Sequence, residues 1–164
     1  MFSNLSPFTK LHIVISLIGI VSGLVVMFGL LAGQKLNRWT ALFLISTALT
    51  SVTGFFFPFH GVTPAIVVGL ISVVLLAIAV VARYARHLAG AWRWIYVVTA
   101  MISLYLNVFV LVVQLFQKVP ALKAMAPTQS EPPFAVTQLV VLALFVLLTI
   151  VAAVKFRGEQ LRRA

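Results

Sequence analysis

Uncharged runs divide this chain. Leu11 to Gln34, Trp39 to Ala82, Trp94 to Gln117 and Pro132 to Val154 contain no Lys, Arg, Asp or Glu. An α-helix needs about 20 apolar residues to cross ~30 Å of hydrocarbon. Three of the runs fit one crossing each, and the 44-residue run from Trp39 to Ala82 fits two. Its break falls at Pro58-Phe59-His60-Gly61-Val62-Thr63-Pro64. Pro58 disfavours a continuing helix, Gly61 permits a tight turn, and Thr63-Pro64 reads as a cap with a first-turn proline. The pattern predicts an all-α, polytopic membrane protein, a single bundle over residues 1–164. Its five transmembrane helices lie near 11–33, 39–57, 64–84, 92–118 and 134–156. A membrane β-barrel would need about ten-residue segments of alternating polarity, and these runs are too long and too uniformly apolar.

Composition agrees. Hydrophobic residues make up 63% of the 164 residues and charged residues 9%, against roughly 25% charged in soluble domains. That excludes an ordinary soluble domain and a disordered basic tail. The absence of Cys excludes disulfides and thiolate chemistry. The first run is too long for a secretory signal and lacks a small-x-small cleavage pattern, so it reads as a retained anchor.

Charge sets the expected orientation. Lys and Arg in alternate connections total nine on one side (Lys35, Arg38, Arg83, Arg86, Arg93 and the C-terminal tail) and three on the other (Lys10, Lys118, Lys123). The positive-inside rule places the nine in the cytoplasm, giving N-out and C-in. The net charge of +10 then reads as a topology signal and a match to anionic headgroups. It forms no compact nucleic-acid patch. Arg83, Arg86 and Arg93, with His87 among them, read as a cytoplasmic basic cluster touching lipid headgroups.

Within the spans, Ser16, Gly19 and Gly23 form a small-residue face on the first helix, with Gly69 of the third helix as a possible mate. Such spacing lets two backbones approach closely. The face packs inside the bundle or against a partner. The hydroxyls of the second helix read as bonded locally to carbonyls one turn back. On the fourth helix Ser103, Asn107, Gln114 and Lys118 are spaced 4, 7 and 4 apart and share one face. An amide facing lipid is costly. The stripe therefore glues the bundle or a partner, lines a small-molecule, quinone or lipid pocket, or lines a conduction path. No carboxylate near mid-membrane supports the path.

The connection from Gln117 to Phe134 holds four prolines, with a short interfacial helix expected at 120–126. It is a partner-docking element, a pocket cap or a plain connector. Glu131 is the acidic residue expected on the outer side, with Lys118, Lys123 or a histidine as possible partners. His12 and His60 fall at similar depth there. They are a weak candidate pair for haem or metal, since no H-x-x-x-H or H-E-x-x-H spacing exists. No catalytic triad, phosphate-binding or dinucleotide motif is present.

The stretch SLYLNVFVLVVQLFQKVPALKAMAPTQSEPPF, Ser103 to Phe134, resembles part of a bacterial membrane protein. That implies the inner (cytoplasmic) membrane and no residue role. The sequence thus favours a small integral membrane accessory or scaffold subunit. Its expected partners are membrane lipids and other membrane subunits or further copies of itself, with bound lipid and no nucleic acid. Alternatives are a homo-oligomeric transporter or channel for a small solute, lipid or ion, and a quinone- or haem-linked redox protein.

Overall fold

A computed structural model describes residues 6–58 and 64–162. The described chain is helical, with no strand. Its elements are α1 (Pro7–Leu31), α2 (Asn37–Gly54), α3 (Pro64–Val80) continuing into a π-helical turn (Val81–Ala85), α4 (Trp92–Lys118), the short α5 (Pro120–Met125) and α6 (Pro132–Arg162). His60 lies outside the described residues.

Two helices run furthest past the boundaries drawn from charge, while α2 shifts toward its N-terminus, from the expected 39–57 to Asn37–Gly54. α1 begins four residues before Leu11, because Pro7 fits the first helical position and the Ser6 hydroxyl accepts the Thr9 N–H at 3.2 Å. Lys10 therefore sits inside the helix. α6 continues through Lys155 to Arg162. A charge marks where hydrocarbon ends, not where backbone hydrogen bonding ends. α5 falls where the proline pair predicts it.

Among the described residues, four helical segments are long and apolar enough to cross a membrane: Pro7–Leu31, Ile66–Ala85, Trp92–Lys118 and Pro132–Phe156. α2 falls short of that description. Its 18 residues rise about 27 Å, and they include Asn37, Arg38 and six Ser or Thr.

α1 packs on α2, α4 and α6, while α4 packs on α3 and α6, and α3 on α2. α1 and α4 are thus the spine, and the other long helices lean on them. Packing differs along the axis. At the end carrying Arg83, α4 buries Tyr96, Val97, Ala100, Met101, Ser103 and Leu104 to 2% exposure or less. At the end carrying Lys118, every residue from Tyr105 to Leu111 is only half-buried. The buried residues of α1 likewise all lie between Gly19 and Leu30. The bundle is closed at the Arg83 end and loosens toward the Lys118 end.

Gly23 controls the closed half. A Cβ there would stand 2.5 Å from Leu104 of α4 and 2.9 Å from the Phe43 ring of α2. Gly19 is looser, with Thr47 Oγ1 at 3.2 Å. Gly69 does not join this face. It receives the Phe55 ring at the end of α2, because α3 packs beside α2 and α4, not against α1. Gly23→Ala is expected to destabilise the bundle by about 1–3 kcal/mol through overpacking, and Gly19→Ala by clearly less. Thermal unfolding of the two variants in one detergent checks the order.

Candidate functional site

The polar stripe of α4 divides at Asn107. Ser103 is fully buried and donates to the Thr99 carbonyl at 2.8 Å, one turn back. Asn107 crosses to α2, where its Nδ2 donates to Thr47 Oγ1 at 3.0 Å. Both groups stand beside Gly19, which gives them room. Local hydrogen bonds satisfy most other hydroxyls of α2. Ser46, Thr50, Ser51 and Thr53 donate to the carbonyls of Leu42, Ser46, Thr47 and Leu49. Ser16 does the same toward His12.

Beyond Asn107 the stripe opens. Gln114 is half-buried, and Lys118 is exposed at the helix end. Gln114 has no hydrogen-bond partner among the described residues. Lys118 lies within electrostatic reach of His12 on α1. The His12 Nδ1 is 2.7 Å from Thr53 Oγ1 of α2, and the ring meets Phe57 edge-on at 5.0 Å. Phe8 packs against Phe57 with tilted rings at 5.2 Å. His12 of α1 meets Thr53 of α2 with Lys118 of α4 in reach, forming a polar seam, and helical periodicity puts Gln114 on the Lys118 face of α4, two turns from the Asn107–Thr47 bond.

The connection after α4 does not cover this seam. Ala126 packs with Val112 and Phe116, flanked by Leu122 and Phe134. Val112 and Phe116 point about 160° away from Gln114 on the helical wheel. The Gln129 side chain ties the loop down, its Nε2 donating to the Val113 carbonyl at 2.8 Å. Glu131 pairs with no lysine or histidine among the described residues. Its carboxylate instead accepts from Thr128 Oγ1 at 2.8 Å and from the N–H groups of Thr128 and Ser130, both at 3.1 Å. It closes the turn that starts α6.

Within the basic cluster Arg83 turns inward, while Arg86 is exposed and Arg93 half-buried. Arg83 is 6% exposed. Its Nη2 donates to the Lys35 carbonyl and to Asn37 Oδ1, each at 2.7 Å, and the guanidinium lies 5.0 Å over the Tyr96 ring. Arg86 lies over Trp92, and Arg93 donates to the Leu88 carbonyl. The π-turn swings Arg83 inward, where it clamps the α1–α2 connection to α3 and α4. Cation–π contact and carbonyl dipoles replace a carboxylate partner. Sequence spacing carries no signal for that inward turn. Gln138, another residue not singled out from sequence, donates to the Phe109 carbonyl at 3.3 Å across the α4–α6 contact. Its isolation in an apolar helix was the available clue.

No group of His, Cys, Asp or Glu with metal-binding geometry occurs among the described residues. No protein family, curated protein or solved structure matches this chain.

Two outcomes follow from these contacts. A double-mutant cycle of Asn107→Ala and Thr47→Val is expected to give a coupling of about 0.6 kcal/mol in bundle stability, the average such cycles give for interhelical bonds in a membrane protein. For Glu131, partial desolvation raises the carboxyl, and bonds from the Thr128 hydroxyl and from the Glu131, Thr128 and Ser130 backbone outweigh it. The net position is below the ordinary value of 4.5. A carboxyl depressed in the folded state supports the turn above its unfolded pKa, and that support is lost as pH falls through the folded value. Amide exchange at Thr128 and Ser130, corrected for its intrinsic pH dependence, is expected to speed up in the native chain as pH falls through the depressed carboxyl value, below the ordinary 4.5. In Glu131→Gln it is expected to be fast at all pH values.

Proposed function

We propose that this chain is a five-span, N-out and C-in integral membrane protein acting as a non-catalytic accessory or scaffold subunit. One observation carries the reading. Tyr96, Phe43, Met101, Leu104 and Phe156 are each exposed by 1% or less and fill the bundle at the Arg83 end. Large, interdigitated side chains make a rigid support and leave no room for a solute beneath Asn107. That packing favours a scaffold over a conduit.

Crossing of the membrane by α2 completes the odd count that opposite termini require. Its hydroxyls are compatible with lipid depth because they bond to carbonyls of their own helix. Association with other membrane subunits, or with further copies, is assigned to α6. Leu139, Val140, Leu147, Ile150 and Val154 are each about 60% exposed or more along it. The glycine face of α1 is excluded from that role, since α2 and α4 already occupy it. The basic connections at the Arg83 end support, by the positive-inside rule, a cytoplasmic side for that end.

Native mass spectrometry of the gently extracted protein is the test. The expected result is a defined assembly with a second membrane polypeptide or with further copies, and no solute flux from the purified chain in liposomes. A monomer that supports flux would overturn the proposal.

A further inference from the structure

The seam at the Lys118 end holds unused bonding capacity of a particular kind. Thr53 has one hydroxyl proton. Its Oγ1 lies 2.6 Å from the Leu49 carbonyl, which only accepts, so the proton goes there. The same oxygen then receives the Nδ1–H of His12 across 2.7 Å. The neutral ring is thereby held as the Nδ1–H tautomer, leaving the Nε2 lone pair as an acceptor. No described residue bonds to that nitrogen. Lys118 supplies three donors and a positive charge. Glu131, the carboxylate nearest in sequence, is engaged by Thr128 and Ser130. One turn below Lys118, Gln114 supplies an amide with both donors free, in a half-buried position where they need a partner. The rings of Phe8 and Phe57 flank the site, as aromatic residues do at a membrane interface.

We infer that this seam binds the headgroup of a phospholipid bearing both a phosphate and a hydroxyl. The phosphate oxygens accept from Lys118 and Gln114, and the hydroxyl donates to His12 Nε2. A glycerol headgroup meets all three requirements. A choline headgroup meets only the first two, because it lacks a hydroxyl donor and brings a second positive charge toward Lys118. The inference depends on the proposed orientation only for the leaflet, which is the outer one. It does not depend on a partner subunit.

The purified chain is placed in nanodiscs of equal phosphatidylglycerol and phosphatidylcholine, and lipids retained by the ejected protein are counted by native mass spectrometry. Phosphatidylglycerol is expected to be retained preferentially. Lys118→Gln and Gln114→Leu are each expected to lower its retention on the order of tenfold, the scale of one lost charge-assisted bond. Lys123→Gln, on α5 away from the seam, is expected to leave it unchanged. Gln114→Leu suits a membrane helix, so it decides the matter should Lys118→Gln unfold. Glycerol phosphate added to phosphatidylcholine discs separates the sources. Its binding would assign the same chemistry to a free anion, and its failure to bind alongside retained phosphatidylglycerol would assign it to lipid. Equal retention of the two lipids, or retention untouched by both seam variants, would overturn the inference.

Discussion

The close approach of α1 to α2 and α4 is the contact on which the rest depends. Lipid tails are as apolar as Leu or Val, so helices gain little by hiding such residues from one another. Dense packing and interhelical hydrogen bonds must hold them instead. Gly23 supplies the first, since its missing side chain is the space that Leu104 and Phe43 fill. Gly19 supplies the second, by admitting the Asn107–Thr47 bond. Below that bond the bundle is solid. Above it α4 stays packed through Val112 and Phe116 on one side, while its Gln114 and Lys118 side is half-buried to exposed. The division of the polar stripe into a satisfied half and an open half is a consequence of where the glycines stand.

Arg83 serves the closed end in a different way. A buried guanidinium without a carboxylate would be costly. Here two oxygens at 2.7 Å receive its Nη2 and the face of Tyr96 lies under the guanidinium, while the buried Nη1 has no hydrogen-bond partner among the described residues. The same side chain reaches three parts of the fold, the α1–α2 connection, the π-turn and α4. A residue that reads as a topology signal in sequence is therefore also a structural clamp.

Much of this was legible in the sequence. Uncharged runs located the long helices, Pro120 and Pro127 bracketed α5, and the small-residue spacing named the face of α1 that packs most tightly. Helical periodicity put Asn107, Gln114 and Lys118 on one face. What was not legible depended on neighbours. Nothing local tells Gly69 that it will meet Phe55 and not α1, and Glu131 gives no sign that its own turn will use both of its oxygens. A single π-turn rotates Arg83 inward, and hydropathy is blind to it. The absence of any charge from Trp39 to Ala82 makes the hydroxyl-rich α2 look like its neighbours, although six Ser and Thr lower its apolar character.

The bundle is sealed beneath Asn107 and, along the Gln114 and Lys118 side of α4, opens above it. The chain contains no cysteine, so single cysteines can be introduced along α4 and probed in intact cells with a membrane-impermeant thiol reagent. The account predicts labelling from outside at positions 114 and 118, and protection at 100, 103 and 104 from either side. Continuous labelling through position 100 would contradict it, as would protection at 114 with the bundle otherwise folded.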